Sequence, residues 1–139
     1  EEAFYGCWVL TSITIPGSVT SIGSGVFWNC TWLTSVTFEN GVTSIGESIC
    51  SECPNLTSII VDADNEEYTS GDGCNAIIDG DNILIQGCKT TVIPDYVECI
   101  GDCAFLGSGL TSINIPDNVT SIEPSAFENC SALEYAPIG

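Results

Sequence analysis

Three fourteen-residue phrases dominate the chain: LTSITIPGSVTSIG from residue 10, LTSVTFENGVTSIG from residue 33 and LTSINIPDNVTSIE from residue 110. A fixed period constrains a fold more than any single motif, because every unit must then adopt much the same shape. Taking Leu10 as position one, that position holds Leu10, Leu33, Leu56, Cys88, Leu110 and Leu133. The steps are 23 residues (10 to 33, 33 to 56 and 110 to 133), with a third step stretched to 32 (56 to 88) and a fourth trimmed to 22 (88 to 110). Apolar columns follow at position four (Ile13, Val36, Ile59, Ile113) and position six (Ile15, Phe38, Val61, Ile93, Ile115). An aromatic column holds Phe4, Phe27, Phe105 and Phe127, with Cys50 in one place.

One unit cannot bury its own apolar face, whereas stacked units turn each column into a stripe through the core. The phrase LTSITI reads as a strand, rich in the β-branched residues that suit a pleated surface. VTSI reads as a second short strand, and SGVFWNC as a tight helical turn. Pro16, Pro94 and Pro116 follow the first strand, where a missing N–H ends a ladder harmlessly. A β-solenoid follows, one domain over 1–139: a partial repeat 1–9, repeats 10–32, 33–55, 56–87, 88–109 and 110–132, and a partial repeat 133–139.

The pattern LxxIxIPxxVxxIGxxAFxxC resembles the BspA-like leucine-rich repeats of bacterial and protist surface proteins. The resemblance implies a right-handed leucine-rich-repeat superhelix of short parallel strands, displayed outside the cell and binding protein or another surface. The stretch NEEYTSGDGCNAIIDGDNILIQGCKTTVIP in the long third unit resembles that family's β-hairpin insertion, with its Asn-x-x-Tyr-x-Ser lead at Asn65, Tyr68 and Ser70. Glu39 and Asp62 stand where the pattern has proline, Cys50 where it has Phe, and Ser108 where it has Cys.

Composition excludes several functions. There are 19 acidic residues against one base, Lys89, and no histidine, giving a net charge of −18. Nucleic acid and anionic membrane both demand basic patches, so neither is an expected partner. No apolar run reaches the roughly 18 residues of a membrane span. Catalysis needs a perturbed carboxylate in a cleft or a nucleophile beside a base. The carboxylates here fall at turns and strand edges, so no catalytic residue and no enzyme is expected.

Nine cysteines suggest an oxidising, extracellular setting. Cys7, Cys30, Cys53 and Cys130 share a column and read as buried thiols. Cys74 and Cys88 sit symmetrically about Asp81 and are expected to face each other across the hairpin as a disulfide. Cys99 and Cys103 could pair locally or with another chain. Cys50 and Cys53 form the single CxxC, without the second pair that zinc would need.

Two acidic or polar features invite a function. Asp62, Asp64 and Glu66 have the alternate spacing of a calcium loop, but lack its glycine and terminal glutamate. They read either as a calcium site or as a solvated turn, and no cofactor beyond weak calcium is expected. Positions three and five of the first strand point outward: Ser12, Thr14, Ser35, Thr37, Ser58, Ile60, Ser112, Asn114 and Tyr135. That lattice is either a recognition face for a protein or glycan, or merely a solvated strand surface. Trp8, Trp28 and Trp32 form a second cluster, as contact patch or as partly buried cover. Asn29, Asn55, Asn118 and Asn129 match glycosylation sequons, which the repeat phrase itself generates. The chain opens and closes mid-unit, so it reads either as part of a longer surface protein for adhesion or protein binding, or as a filament subunit self-associating through open ends.

Overall fold

The computed structural model describes residues 9–71, 73–131 and 133. Ten short strands run through it: β1 (Ser12–Ile15), β2 (Ser21–Ile22), β3 (Ser35–Phe38), β4 (Ser44–Ile45), β5 (Ser58–Val61), β6 (Tyr68–Thr69), β7 (Ile77–Asp79), β8 (Ile83–Gln86), β9 (Cys99–Ile100) and β10 (Ser121–Ile122). β1, β3 and β5 form one parallel sheet, β2 and β4 another, and β10-β9-β8-β7-β6 a third. Like residues of successive coils pair directly: Ile13 with Val36 and Val36 with Ile59, Ile22 with Ile45, and Ile100 with Ile122. The result is the β-solenoid that the period demands.

The aromatic segment is not helical, and the expected tight helical turn gives way to two turns linked by main-chain rungs. The N–H groups of Gly25, Phe27 and Asn29 leave their own coil and donate to the carbonyls of Glu47, Ile49 and Ser51. The remaining donors close local turns, Trp28 to Gly25 and Cys30 to Phe27. This alternation needs positive φ at two columns. One holds Gly25, Ser48, Cys103 and Ser125 (φ 56 to 67°), the other Asn29, Glu52, Gly107 and Asn129 (φ 57 to 63°). A left-handed residue every fourth position interrupts any α-helix, since L-residues sustain that conformation only singly.

The threonines of LTS and VTS knit the coils further. Thr34 Oγ1 donates to the carbonyl of Thr11 at 3.0 Å, Thr57 to Thr34 at 3.3 Å, and Thr43 to Thr20 at 3.2 Å. Asn55 and Asn118 do likewise through Nδ2, to Thr31 and Asp95 at 2.6 Å each, and Asn129 Nδ2 reaches Glu52 Oε2 at 2.9 Å, so three of the four sequon side chains are held in inter-coil bonds.

The third unit departs most from the others. After β5 the chain enters the hairpin, and β8 takes the place of a second strand, pairing parallel with β9. Three residues then lead from Leu84, in the second-strand column, to Cys88, so the unit has no aromatic segment of its own. The second coil consequently bonds straight to the fourth, with Glu52 N donating to Leu106 O at 2.9 Å. At the rung two residues earlier the buried side chain of Gln86 fills the gap. Its Oε1 accepts Cys50 N at 3.0 Å, and its Nε2 donates to Ala104 O at 3.1 Å.

The hairpin also divides the interior. Ile77 packs with Phe27, Leu33, Val36 and Ile59, whereas its neighbour Ile78 packs with Leu84, Ile100, Phe105 and Leu110. Successive strand residues face opposite sides, so β7 is a partition buried on both faces. The continuous stripes expected from the repeat become two clusters. Within the second, the rings of Phe105 and Phe127 stack with centroids 5.2 Å apart.

That partition overturns the disulfide expected between Cys74 and Cys88. Neither sulfur is in a disulfide. The β7–β8 pairing carries a bulge between Ile77 and Ile78, with Ile77 opposite Gln86, which shifts the register by one. Cys88 therefore meets Asn75, its Sγ 3.5 Å from that carbonyl, and lies in the first cluster. Cys74 lies in the second, donating to Ser70 O at 2.7 Å.

Candidate functional site

The alternation of the first strand column builds an outward face. Ser12, Ser35 and Ser58 stand in one row and Thr14, Thr37 and Ile60 in the next, coil over coil. Ile13, Val36 and Ile59 point the other way, with Val36 and Ile59 fully buried, so the register of the face is set by the core behind it. Ile60 is 48 % exposed and, on the following coil, Val92 is 71 % exposed. Of the nine residues expected on the face, these six form one lattice. Ser112 and Asn114 are exposed but lie on the fifth coil, outside that sheet, and Tyr135 lies outside the described residues.

What separates them is the hairpin's lead-in. Asn75 Oδ1 accepts Ile59 N at 3.2 Å and Ser70 Oγ accepts Val61 N at 3.1 Å. These side chains take the bonds that a fourth strand would have made, and β5 becomes the last strand of the face. The Asn-x-x-Tyr-x-Ser lead has the same purpose throughout. Asn65 Nδ2 donates to Val42 O at 2.9 Å, and Tyr68 OH accepts Ile45 N at 3.0 Å.

The carboxylates at the edge are committed to turns. Glu39 Oε1 accepts Gly17 N at 2.9 Å across two coils, and so replaces the absent proline as a fixing device. Asp62 Oδ1 accepts Asp64 N at 2.8 Å. Asp62, Asp64 and Glu66 do not converge, and among the described residues no three potential ligands are arranged to hold a metal ion. The spacing that suggested a calcium loop forms an Asx turn instead.

The thiol column is structural. Cys53 Sγ donates to Phe27 O and Cys130 Sγ to Phe105 O, both at 3.0 Å, each reaching the preceding aromatic position. Ser108, one place where the column lacks sulfur, has its Oγ 3.8 Å from Cys130 Sγ. Burial pushes the Cys53 thiol up to about 12. It also raises Cys50 well above the usual range, helped by Cys53, Cys88 and Cys30 nearby. Neither is a nucleophile at neutral pH. Of the tryptophans, Trp32 is 62 % exposed and Trp28 half-buried, while Trp8 lies outside the described residues.

Sequence reasoning located the face but missed the threonine ladders and Gln86. The recurrence of Thr11, Thr34 and Thr57 was the available signal for the ladders. Gln86 carries none, being a lone polar residue in an irregular segment.

Stacked coils, paired columns and an outward strand face define a solenoid of the leucine-rich-repeat class. The chain belongs to the BspA type leucine rich repeat region family, whose model matches in six copies over residues 1–72 and 85–138. The gap between the matched segments holds β7, its turn and the first half of β8. Among solved structures, a leucine rich cell surface protein from Faecalibacterium prausnitzii is 31% identical at a TM-score of 0.67, covering 98% of this chain and 43% of that one. A leucine-rich repeat protein from Eubacterium ventriosum shares the fold at 23% identity and a TM-score of 0.68, covering 91% of this chain and 41% of its own. The pneumococcal vaccine antigen PcpA does so at 17% and 0.66, over 92% and 39%. The chain thus spans less than half the length of these proteins. No curated protein sequence matches it. No helix among the described residues is long and apolar enough to cross a membrane.

Proposed function

We propose that the chain is a non-catalytic, cell-surface module for adhesion, which binds protein through the outward face of β1, β3 and β5. The observation that carries this reading is the in-register lattice of Ser12, Ser35 and Ser58 beside Thr14, Thr37 and Ile60. A flat array of short hydroxyl side chains loses little conformational entropy on contact, and Ile60 gives it an apolar point of the kind that anchors interfaces. The repeat class and the likeness to the leucine rich cell surface protein of Faecalibacterium prausnitzii support the same placement.

The test is to display the chain to an array of extracellular proteins and glycans, then repeat each hit with Thr37→Arg and Ile60→Asp. Loss of a protein hit by tenfold or more, with Thr20→Lys at an exposed position off the face as an unaffected control, is the expected outcome. Hits that survive both face variants would overturn the reading, and hits confined to glycans would change the partner class. Light scattering over a concentration series should give discrete particles, whereas fibres of constant width would favour a filament subunit.

A further inference from the structure

A groove opens on another side of the solenoid, where the ladder of second strands is broken. β4 has no strand beyond it, because the third coil supplies the hydroxyl of Tyr68 there, and the ladder resumes only at β8. The groove has a volume of about 310 Å³. Three isoleucines, Ile45, Ile83 and Ile85, line it and remain half-exposed to solvent. Ile83 and Ile85 alternate on β8 with buried Leu84 and Gln86, so the strand's own pleat leaves them half-exposed, and Ile45 and Ile85 rest on the first core cluster with part of each side chain still open to the groove. Glu47, Asp102 and Glu123 stand along the same walls, contributed by three different coils, and no lysine or arginine lies among the lining residues.

We infer that this groove docks a basic segment of a protein partner, seating a Lys or Arg side chain. The apolar lining is the feature that needs an occupant, and the wall charges decide its sign. Lysine and arginine combine a methylene stem, which buries well on apolar surface, with a cationic head that stays polar. A purely apolar side chain would desolvate the carboxylates without return, and an anionic one would be repelled by a chain of net charge −18. The inference rests on the protein-binding reading but uses a different surface, so the two can fail separately.

The test is fluorescence anisotropy at physiological ionic strength with a labelled octapeptide of alternating lysine and alanine. A second peptide replaces lysine with 2,3-diaminopropionic acid, which keeps the charge and removes most of the stem. The lysine peptide should bind at least tenfold more tightly than the short-stem one. Asp102→Asn with Glu123→Gln, both at exposed positions, should weaken it about tenfold, and Ile83→Ser about fivefold. Glu66→Gln with Glu67→Gln removes equal charge elsewhere and should change binding less than twofold. Equal binding of the two peptides, equal loss from both charge pairs, or no binding at all would overturn the inference. Loss caused by Ile60→Asp alone would point to the strand face and equally reject the groove.

Discussion

Gln86 Oε1 lies 3.0 Å from the amide nitrogen of Cys50, in the place where the neighbouring coils put a main-chain carbonyl. By the pattern of the other coils, Cys50 N–H would reach Ala104 O, and the Gln86 amide is inserted between the two. A side-chain amide has the donor and acceptor of a peptide group, so it extends the rung without adding a coil.

Replacing it should therefore be costly. Gln86→Leu keeps the volume but strands a buried N–H, which costs about 1–3 kcal/mol for each group left unpaired. We expect a loss of about 3 kcal/mol in urea denaturation, with Gln86→Ala no better. A loss below about 1 kcal/mol would show that the rung is dispensable.

The columns of positive φ predict opposite outcomes for two substitutions. Gly107→Ala should be strongly destabilising, because a Cβ there would lie 2.4 Å from Glu52 Oε1 and 2.9 Å from Glu52 Cα, at a φ of +63°. Ser125 has a φ of 63° with an exposed side chain. Relief of a strain of roughly 1–2 kcal/mol, less the entropy glycine adds to the unfolded chain, makes Ser125→Gly stabilising by about 0.5 kcal/mol. Thermal midpoints of the two variants check both.

The buried thiols fix a pH dependence. The Cys53 thiol is raised from 9.0 to about 12 in the folded chain, chiefly by burial. The native state thus holds a proton that the unfolded state releases above pH 9. Stability is then whole below that pH and falls as pH rises toward 12, by the usual linkage. Cys53→Ala should flatten the fall. In a brief iodoacetamide pulse at neutral pH, Cys30, Cys50, Cys53, Cys74 and Cys88 should stay unmodified while half-exposed Cys99 reacts, and Cys103, whose thiol is raised by burial and by nearby Asp102, should react more slowly, as read by peptide mass mapping.

Calcium should act on this chain only through its charge. With Asp62 engaged in its own turn, calcium and magnesium at equal concentration should raise the melting temperature alike, by relieving repulsion among carboxylates. A rise specific to calcium would reveal a bound-state site that this geometry does not contain.

The coils could be read from the chain because their information is local and repeated. Leu10, Leu33 and Leu56 recur at one spacing, and a one-residue slip of register would turn Val36 and Ile59 to solvent. The six-residue core of the strand face followed from the same alternation. The hairpin insertion was legible in the same way, but the facing of its cysteines was not, because there long-range packing outweighs pattern. Symmetry about Asp81 suggested that Cys74 faced Cys88, and a one-residue bulge undid it. The segment SGVFWNC looked helical because its apolar spacing cannot reveal that Gly25 and Asn29 adopt left-handed conformations. The groove is not legible in the chain because Ile45 lies far in sequence from Ile83 and Ile85, and the walls come from three coils.

The threonine hydroxyl bonds have a bearing on how such a protein grows. Each ordinary coil brings a donor for the coil before it and an acceptor for the coil after it, so a tandem duplication arrives with both halves of its seam already compatible. Length can drift by whole coils without any compensating change elsewhere. The hairpin coil has no such freedom: its two faces meet different neighbours, and a second copy laid beside the first would find no matching surface.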